Sequence, residues 1–161
     1  MNFEKALAND PRWQRFNDAS YLCKCCSQSF DGIYDLVCNA PDVWNGPPEQ
    51  QPNHTLTEDT DALTEDFCVM GDHRFVHCLL PIPIQGSDQV FSFGVWGTLS
   101  IDNFNAFCAR FDDGTQGDLG SMFSWLSNAV PTGAPLPTPA VISPRNDRQR
   151  PYRLCLESGG N

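Results

Sequence analysis

A run of alternating apolar residues constrains the fold more than any other part of the sequence. Its members recur at every second position: Val76, Cys78, Leu80, Ile82 and Ile84. This spacing places them on one face of an extended strand. The positions between them include Phe75 and Leu79, so we expect the strand to be covered on both sides for part of its length. Pro81 and Pro83 lack a backbone N–H, which predicts that the far end of the strand lies at a sheet edge or a bulge.

Two further strands and a helix are predicted around this run. The residues from Phe67 to Met70 form a short strand, and the Gly71-Asp72 turn folds it back onto the long one. A third strand runs from Phe91 to Leu99, and its short connection makes it antiparallel to the second. Ser100 then has the position of an N-cap, which predicts a helix ending at about Phe111.

Further elements are predicted outside this core. Asp10 and Pro11 suit the start of a short helix. Another helix fits the spacing of Leu119, Met122, Phe123, Leu126 and Val130. Short strands are expected at residues 33–37, 140–143 and 152–157, the last two as a pair. Together these elements predict an α+β fold, with a twisted antiparallel sheet of about five strands and two or three helices packed on one face.

The length of 161 residues predicts a single domain, 1–161. We divide it into an N-terminal helical segment at 1–20, an acidic exposed loop at 45–65, and a core of sheet and helix at 66–157. No apolar stretch is long enough to span a membrane, and the first residues are too charged for a secretory signal. The sequence therefore predicts a cytoplasmic protein without a membrane partner.

Net charge limits the partners that the protein can bind. Twenty acidic and ten basic residues give a formal net charge of −10. This charge argues against a nucleic acid partner, because binding to phosphates requires clustered Lys and Arg. A basic protein partner is allowed, and the candidate binding residues for it are Asp59, Asp61, Glu65 and Asp66. The alternative is that this acidic segment is only a solvated loop.

A basic segment lies near the C-terminal end. It holds four of the ten basic residues in one predicted hairpin: Arg145, Arg148, Arg150 and Arg153. Guanidinium groups in this hairpin can pair with the acidic loop of the same molecule, or they can bind a carboxylate or phosphate ligand.

Eight cysteines raise the questions of disulfides and metal binding. Without a secretory signal, reduced thiols are expected, and four cysteines at apolar periodic positions are predicted core residues: Cys68, Cys78, Cys108 and Cys155. Cys23 and Cys26 have the C-x-x-C spacing of a zinc knuckle, with Cys25 or Cys38 as further candidate ligands. A structural zinc site needs four ligands, and no second C-x-x-C pair follows. Redox chemistry of the thiols, favoured by a positive charge such as Lys24, is the alternative.

No arrangement of catalytic residues is recognisable in the sequence. It lacks a glycine-rich phosphate loop, a G-x-S-x-G elbow and an H-E-x-x-H motif. No cofactor is required by any motif, and zinc is the candidate that the cysteines allow. We therefore expect a non-catalytic acidic binding protein, of the kind that inhibits a basic partner as an immunity protein or antitoxin does. The alternatives are a zinc-knuckle or thiol-active protein that uses the C-x-x-C pair, and a small-molecule enzyme with a pocket near Trp96 and His77.

Several segments, taken in order, match the pattern of one bacterial family. They are the cysteine run at 23–26, DLVCNAPDVW at 35–44, TEDFCV at 64–69, FGVWGTLSIDNF at 93–104, FDDGTQGDLG at 111–120, FSWLSN at 123–128 and QRP at 149–151. The chain thereby resembles the family known as domain of unknown function 2199 over most of its length. From this resemblance we infer neither an activity nor any catalytic residue. Members of the family commonly read C-x-x-C-G with a His shortly after, whereas Ser27 follows Cys26 in this chain.

Overall fold

The computed structural model describes residues 2–131 and 135–155. Within these residues lie three α-helices and eight β-strands. The helices are α1 (Phe3–Ala8), α2 (Pro11–Asn17) and α3 (Ile101–Phe111). The strands are β1 (Leu36–Val37), β2 (Ala62–Leu63), β3 (Phe67–Met70), β4 (His73–Pro83), β5 (Val90–Leu99), β6 (Met122–Trp125), β7 (Pro139–Ser143) and β8 (Tyr152–Cys155). Short 3₁₀ helices form at Asn53–Thr55 and Gln116–Leu119.

The chain divides into two compact units. Unit 1 comprises Met1–Leu36 and Pro81–Ser92, and unit 2 comprises Val37–Leu80 and Phe93–Asn161. β4 and β5 therefore contribute residues to both units. The single domain expected from the chain length remains a prediction.

In unit 1, α2 begins where the sequence predicts. Asp10 is the N-cap, its carboxylate accepts a hydrogen bond from a backbone N–H of the first turn, and Pro11 is the first helical residue. Phe16 of this helix packs against the rings of Phe30 and Tyr34, with centroids 5.5 and 5.6 Å away. This aromatic cluster fixes α2 against the segment that follows the cysteine run.

The sheet has more strands than the sequence predicts. Its order is β1-β5-β4-β8-β7-β6, while β3 also pairs with β4 and β2 pairs with β3, which makes eight strands rather than five. The expectation of a purely antiparallel sheet is also wrong, because β8 runs parallel to β4 with Leu79 opposite Tyr152. No turn joins these two strands, so no local pattern could reveal that they are neighbours.

Two strands share one edge of β4. β3 pairs with the first part of β4, from Met70 opposite His73 to Phe67 opposite Val76. The N–H of Leu79 then donates to the carbonyl of Pro151 at 2.9 Å, where β8 begins. β4 is buried on both faces from Arg74 to Cys78, which confirms the expectation drawn from its two apolar faces.

The end of β6 returns to β5. An antiparallel bridge joins Gly97 and Leu126, and the N–H of Ser127 donates to the carbonyl of Trp96 at 2.8 Å. The lack of a side chain at Gly97 favours this approach, since a Cβ there would lie only 2.5 Å from the hydroxyl oxygen of Ser124.

Helix α3 supplies much of the apolar packing in unit 2. Ser100 is its N-cap and accepts a hydrogen bond from the N–H of Asn103 at 3.2 Å, and the helix ends at Phe111 as predicted. Three rings of α3 surround Phe67 with centroids 5.1 to 6.0 Å away: Phe104, Phe107 and Phe111. Each such edge-to-face pair contributes about 0.5–1.5 kcal/mol beyond the burial of its area.

The helix predicted over residues 119–130 is wrong. This segment contains β6, in which Met122 and Ser124 are buried while Phe123 and Trp125 are exposed. The apolar residues here fit a period of two as well as a period of 3.6. Pairing with β7, where Met122 lies opposite Ile142, decides in favour of the strand.

The acidic loop predicted at 45–65 is mainly exposed, but its last part is not a loop. Leu63 and Thr64 are buried, because β2 pairs with β3 and places Leu63 opposite Cys68. The strand expected at 33–37 is reduced to Leu36–Val37. The final strand pair is confirmed as β7 and β8, and residues 156–157 lie outside the described residues. No helix of the described residues has the length and apolar character needed to cross a membrane.

Candidate functional site

The cysteine run in unit 1 forms a tight turn. The N–H of Ser27 donates to the carbonyl of Cys23 at 2.7 Å, and the N–H of Cys23 donates to the carbonyl of Gln28 at 2.9 Å. Ser27 has a φ of 58°, in the left-handed region that reverses the chain direction. The turn therefore folds the residues after Cys23 back toward its side chain.

Two sulfur atoms meet inside this turn. The Sγ of Cys23 lies 3.3 Å from the Sγ of Cys25. Cys23 is only 2% exposed, whereas Cys25 and Cys26 are exposed, and all three are free thiols. A shortening of the Cys23 to Cys25 distance to about 2.05 Å would make a disulfide bond. The pair is therefore a dithiol with one protected sulfur and one that solvent reaches.

Hydrogen bonds make Cys23 an acidic thiol. Its sulfur accepts them from the backbone N–H groups of Cys25 and Cys26 and from the Cys25 thiol, which lowers the pKa of the Cys23 thiol to about 6 from an ordinary 9.0. Donors of this kind stabilise the thiolate relative to the thiol. At neutral pH Cys23 is therefore mainly a thiolate, the form that attacks electrophiles and binds metals.

Arg15 supplies a positive charge beside the sulfur atoms. Its Nη2 donates to the Sγ of Cys25 at 3.5 Å, and attraction to Cys23 and Cys25 raises the pKa of the guanidinium group. Its guanidinium carbon lies 5.4 Å from the ring centroid of Phe16, the residue that anchors α2. Sequence reasoning pointed to Lys24 and missed Arg15, because only folding brings α2 next to the cysteines. The one available signal was its position next to an aromatic residue, Phe16, in the predicted helix.

The predicted core cysteines have the opposite character. Burial raises the pKa of the thiols of Cys68, Cys78 and Cys108 to about 12. Cys68 and Cys78 are fully buried and Cys108 is half-buried, while the side chain of Cys155 lies outside the described residues. Cys23 therefore differs from these three thiols both in acidity and in having a second sulfur beside it.

The described residues do not complete a zinc site. No group of three or more His, Cys, Asp or Glu side chains among them is arranged to hold a metal ion. Cys38 belongs to unit 2, where its carbonyl accepts a hydrogen bond from the indole N–H of Trp96 at 2.9 Å. Cys23, Cys25 and Cys26 remain the candidate ligands, and zinc binding remains a prediction.

The candidate partner-binding residue Asp66 is engaged within the protein. Its Oδ1 lies 3.2 Å from the Nε of Arg150 in an ion pair, and its Oδ2 accepts a hydrogen bond from Asn53 at 2.7 Å. Two other arginines of the basic segment also make internal contacts: Arg148 donates to the carbonyl of Asp112, and Arg145 lies 3.9 Å from the ring centroid of Tyr152. Arg150 therefore pairs with an acidic residue of the same molecule, as one of the two alternatives for the basic segment predicts, whereas Arg145 and Arg148 contact other parts of the chain.

The other three acidic candidates lie at the surface. Asp61 accepts a hydrogen bond from the N–H of Gly71 at 2.8 Å. Asp59 and Glu65 are exposed, and their carboxylates make no hydrogen bond or ion pair with the described residues. Asp59 and Glu65 are therefore the two carboxylates of this set that have no partner within the described protein.

His77 and Trp96 form a buried pair rather than the walls of a pocket. Their rings stack with centroids 4.4 Å apart, and both residues are fully buried. The Nδ1 of His77 lies 3.0 Å from the carbonyl oxygen of Glu65, so Nδ1 carries the proton. Burial, followed by the charge of Arg150, lowers the pKa of His77 to about 4. His77 is therefore neutral at pH 7, and the pair offers no open pocket for the substrate of an enzyme.

These features define a small protein of mixed α/β structure with a dithiol cluster in its N-terminal unit. A family model with the description "Uncharacterized protein conserved in bacteria (DUF2199)" matches residues 22–160. The chain belongs to this family, in agreement with the resemblance of its motifs. Neither a curated protein nor a solved structure matches the chain.

Proposed function

We propose that this protein is a thiol-based redox protein in which Cys23 and Cys25 alternate between dithiol and disulfide. The observation that carries the proposal is the distance of 3.3 Å between their sulfur atoms. The N–H donors around Cys23 support it, because they favour the thiolate that must attack first. The guanidinium group of Arg15 supports it as well, since it lies beside the sulfur of Cys25.

Hydrogen peroxide is the simplest oxidant for this pair. The Cys23 thiolate attacks one peroxide oxygen, which forms an S–O bond, breaks the O–O bond and releases hydroxide. The Cys25 thiol then attacks the sulfur of the resulting sulfenic acid, forms the S–S bond and releases water. The hydroxide takes up a proton from solvent, so two electrons leave the sulfur pair and two waters are produced. A small dithiol reductant returns the pair to thiols by disulfide exchange.

Mass spectrometry of the peroxide-treated protein tests this sequence of steps. We expect the loss of two hydrogens and a peptide in which Cys23 is linked to Cys25. Cys25→Ser should stop at a sulfenic acid that a dimedone probe traps on Cys23, whereas Cys23→Ser should block the reaction. Cys26→Ser is the matched control and should still form the disulfide.

Two results would reject the redox proposal. One is the absence of any linkage between Cys23 and Cys25 at peroxide concentrations that leave Cys68 and Cys78 unmodified. The other is a zinc ion that stays bound in native mass spectrometry and is lost in Cys23→Ser and Cys26→Ser alike, since this result would favour the zinc knuckle.

A basic protein partner is the second function that we propose, in the manner of an immunity protein or antitoxin. It is supported by the net charge of −10 and by the exposed carboxylates of Asp59 and Glu65. Electrostatic capture by such a surface is fast and weakens as the salt concentration rises. This binding function would use unit 2, and it does not depend on the cysteines.

Matched charge variants test this second function. The variant Asp59→Asn with Glu65→Gln removes two negative charges from the acidic segment, and the variant Glu4→Gln with Asp88→Asn removes two exposed charges from unit 1. A protein captured by the wild type and by the unit 1 variant, lost from the acidic segment variant and released by salt would support the proposal. Equal capture by both variants would reject Asp59 and Glu65 as its binding residues.

A further inference from the structure

The outer face of β6 carries two exposed aromatic side chains. Phe123 is 52% and Trp125 is 41% exposed. Their rings are nearly perpendicular, with an angle of 89° and centroids 5.2 Å apart, so they form a corner on the surface. Large exposed apolar groups that lie together commonly mark an interaction site, and the strand already has its buried face in Met122 and Ser124.

A groove begins at this corner. A cavity of about 560 Å³ extends from Phe123 and Trp125 to the start of β4 and the first turn of α3. A second cavity of about 330 Å³ lies beside it. The two share four lining residues: His73, Thr98, Trp125 and Pro137. Trp125 therefore lies in the middle of an elongated groove rather than at the end of a single pocket.

Three polar side chains of the groove are uncommitted. The side chains of Asp72, His73 and Asn103 line the larger cavity and make no hydrogen bond with the described residues. A carboxylate accepts hydrogen bonds, while an amide and a neutral imidazole both donate and accept them. The groove thus offers both kinds of hydrogen-bonding group next to an aromatic surface.

The charged groups of the groove do not select an ion. The guanidinium group of Arg74 is already bound to the carbonyl oxygens of Gly71 and His73, at 2.7 and 3.1 Å. Its Nη2 also donates to the carbonyl oxygen of Glu58 at 3.5 Å, and the residue is only 9% exposed. Arg74 therefore presents little of its charge to an anionic ligand, and the carboxylate of Asp72 would repel one. A simple cation would bind to Asp72 and the two aromatic rings, but His73 and Asn103 would then contribute nothing to its binding.

We propose that this groove binds a neutral oligosaccharide, with one sugar ring on Trp125. A pyranose ring has an apolar C–H face that packs on an aromatic ring, and its hydroxyl groups both donate and accept hydrogen bonds. Asp72, His73 and Asn103 match such hydroxyl groups in chemistry. The extension of the groove on both sides of Trp125 suits a chain of sugars rather than a single one.

Isothermal titration calorimetry with three neutral trisaccharides tests this inference: maltotriose, cellotriose and triacetylchitotriose. We expect at least one to bind with a dissociation constant of about 1 mM or lower. Trp125→Ala and Asn103→Ala should each weaken this binding by about tenfold or more, which corresponds to the loss of a stacked ring or a hydrogen bond pair. Tyr152→Ala is the control, because Tyr152 is also an exposed aromatic residue of the sheet but does not line the groove.

The three possible failures have distinct meanings, and each rejects the proposal. Absence of binding by all three trisaccharides to the folded wild type rejects the ligand class. Equal weakening by Tyr152→Ala rejects the groove as the location. Binding that survives both Trp125→Ala and Asn103→Ala, in variants whose melting temperature matches that of the wild type, rejects the assigned residues.

Discussion

Asp66 and Arg150 form an ion pair where β3 and β8 meet along the edge of β4. The Nε of Arg150 lies 3.2 Å from the Oδ1 of Asp66, and the side chains are 30% and 17% exposed. The carbonyl of Asp66 accepts the N–H of His77, and the carbonyl of Pro151 accepts that of Leu79. The ion pair therefore joins two strands that are remote in sequence but successive along β4.

Removal of this pair should destabilise unit 2. We expect Asp66→Ala to lower the free energy of unfolding by about 1–3 kcal/mol, because it leaves the Nε of Arg150 and the side-chain amide of Asn53 without their acceptor in a half-buried site. Urea denaturation measures the change. Asp59→Ala, at an exposed carboxylate, should alter stability by less than about 0.5 kcal/mol. Equal effects of the two substitutions would contradict a structural role for the pair.

His77 should make stability depend on pH below neutrality. Its pKa is about 4 in the folded protein, against 6.5 ordinarily, so between these values the unfolded chain binds more protons. The free energy of unfolding should then decrease as the pH falls from about 6.5 to 4, by about 3 kcal/mol in total from this residue. Thermal denaturation at a series of pH values measures the slope. His77→Gln should remove this part of the slope and His73→Gln, at an exposed histidine, should keep it; a slope unchanged in His77→Gln would show that other groups cause it.

The reactivity of Cys23 should depend on Arg15. Iodoacetamide alkylation of Cys23, followed by peptide mass spectrometry, should show a midpoint near pH 6, the pKa of this thiol. Arg15→Gln should move this midpoint upward, because the variant loses the positive charge that favours thiolates in the cluster. Arg12→Gln is the matched control, since its guanidinium is held by Asp10 at 2.6 Å. A midpoint that stays near 6 in Arg15→Gln would assign the acidity to the hydrogen bonds within the cysteine turn alone.

The lowered pKa of Cys23 also predicts that stability depends on pH, in addition to the effect of His77. Because the pKa of Cys23 is lower in the folded protein than its ordinary 9.0, its stabilising contribution is complete above about pH 9 and is lost as the pH falls through about 6. Cys23→Ser should therefore flatten the stability profile between these values. Cys68→Ser, at a thiol whose pKa of about 12 keeps it protonated, should leave that range of the profile unchanged.

Substitution of Gly97 tests the close approach of β5 and β6. Gly97→Ala places a Cβ 2.5 Å from the Oγ of Ser124 and 3.1 Å from the Cδ1 of Ile142, which should cost about 1–3 kcal/mol of stability. In a Ser124→Gly background the same substitution should cost less, because the nearest atom is gone. Comparison of the four proteins by urea denaturation gives the coupling, and a coupling near zero would contradict the contact.

Hydrophobic periodicity predicted the secondary structure correctly where a segment was long or where turns and caps marked its ends. β4 and β5 have long alternating patterns, and α3 has Ser100 at its start, so their positions were predicted closely. The strand β6 has four residues, Met122–Trp125, and its apolar positions also fit a helix. Only pairing with β7 distinguishes the two structures, and such pairing depends on residues elsewhere in the chain.

The features of the candidate site likewise divide into those that the sequence determines and those that depend on the tertiary structure. The sequence by itself determined that Cys23, Cys25 and Cys26 are close together, since three residues of one short run cannot be far apart. The tertiary structure decided which sulfur atoms meet and that Arg15 lies beside them, because these depend on the turn at Ser27 and on the docking of α2. The tertiary structure likewise brought His73, Asn103 and Trp125 together around one groove. It also placed Asp66 within ion-pair distance of Arg150. Side chains from distant segments become neighbours only when burial of apolar surface brings their strands and helices together, and no local pattern records that event.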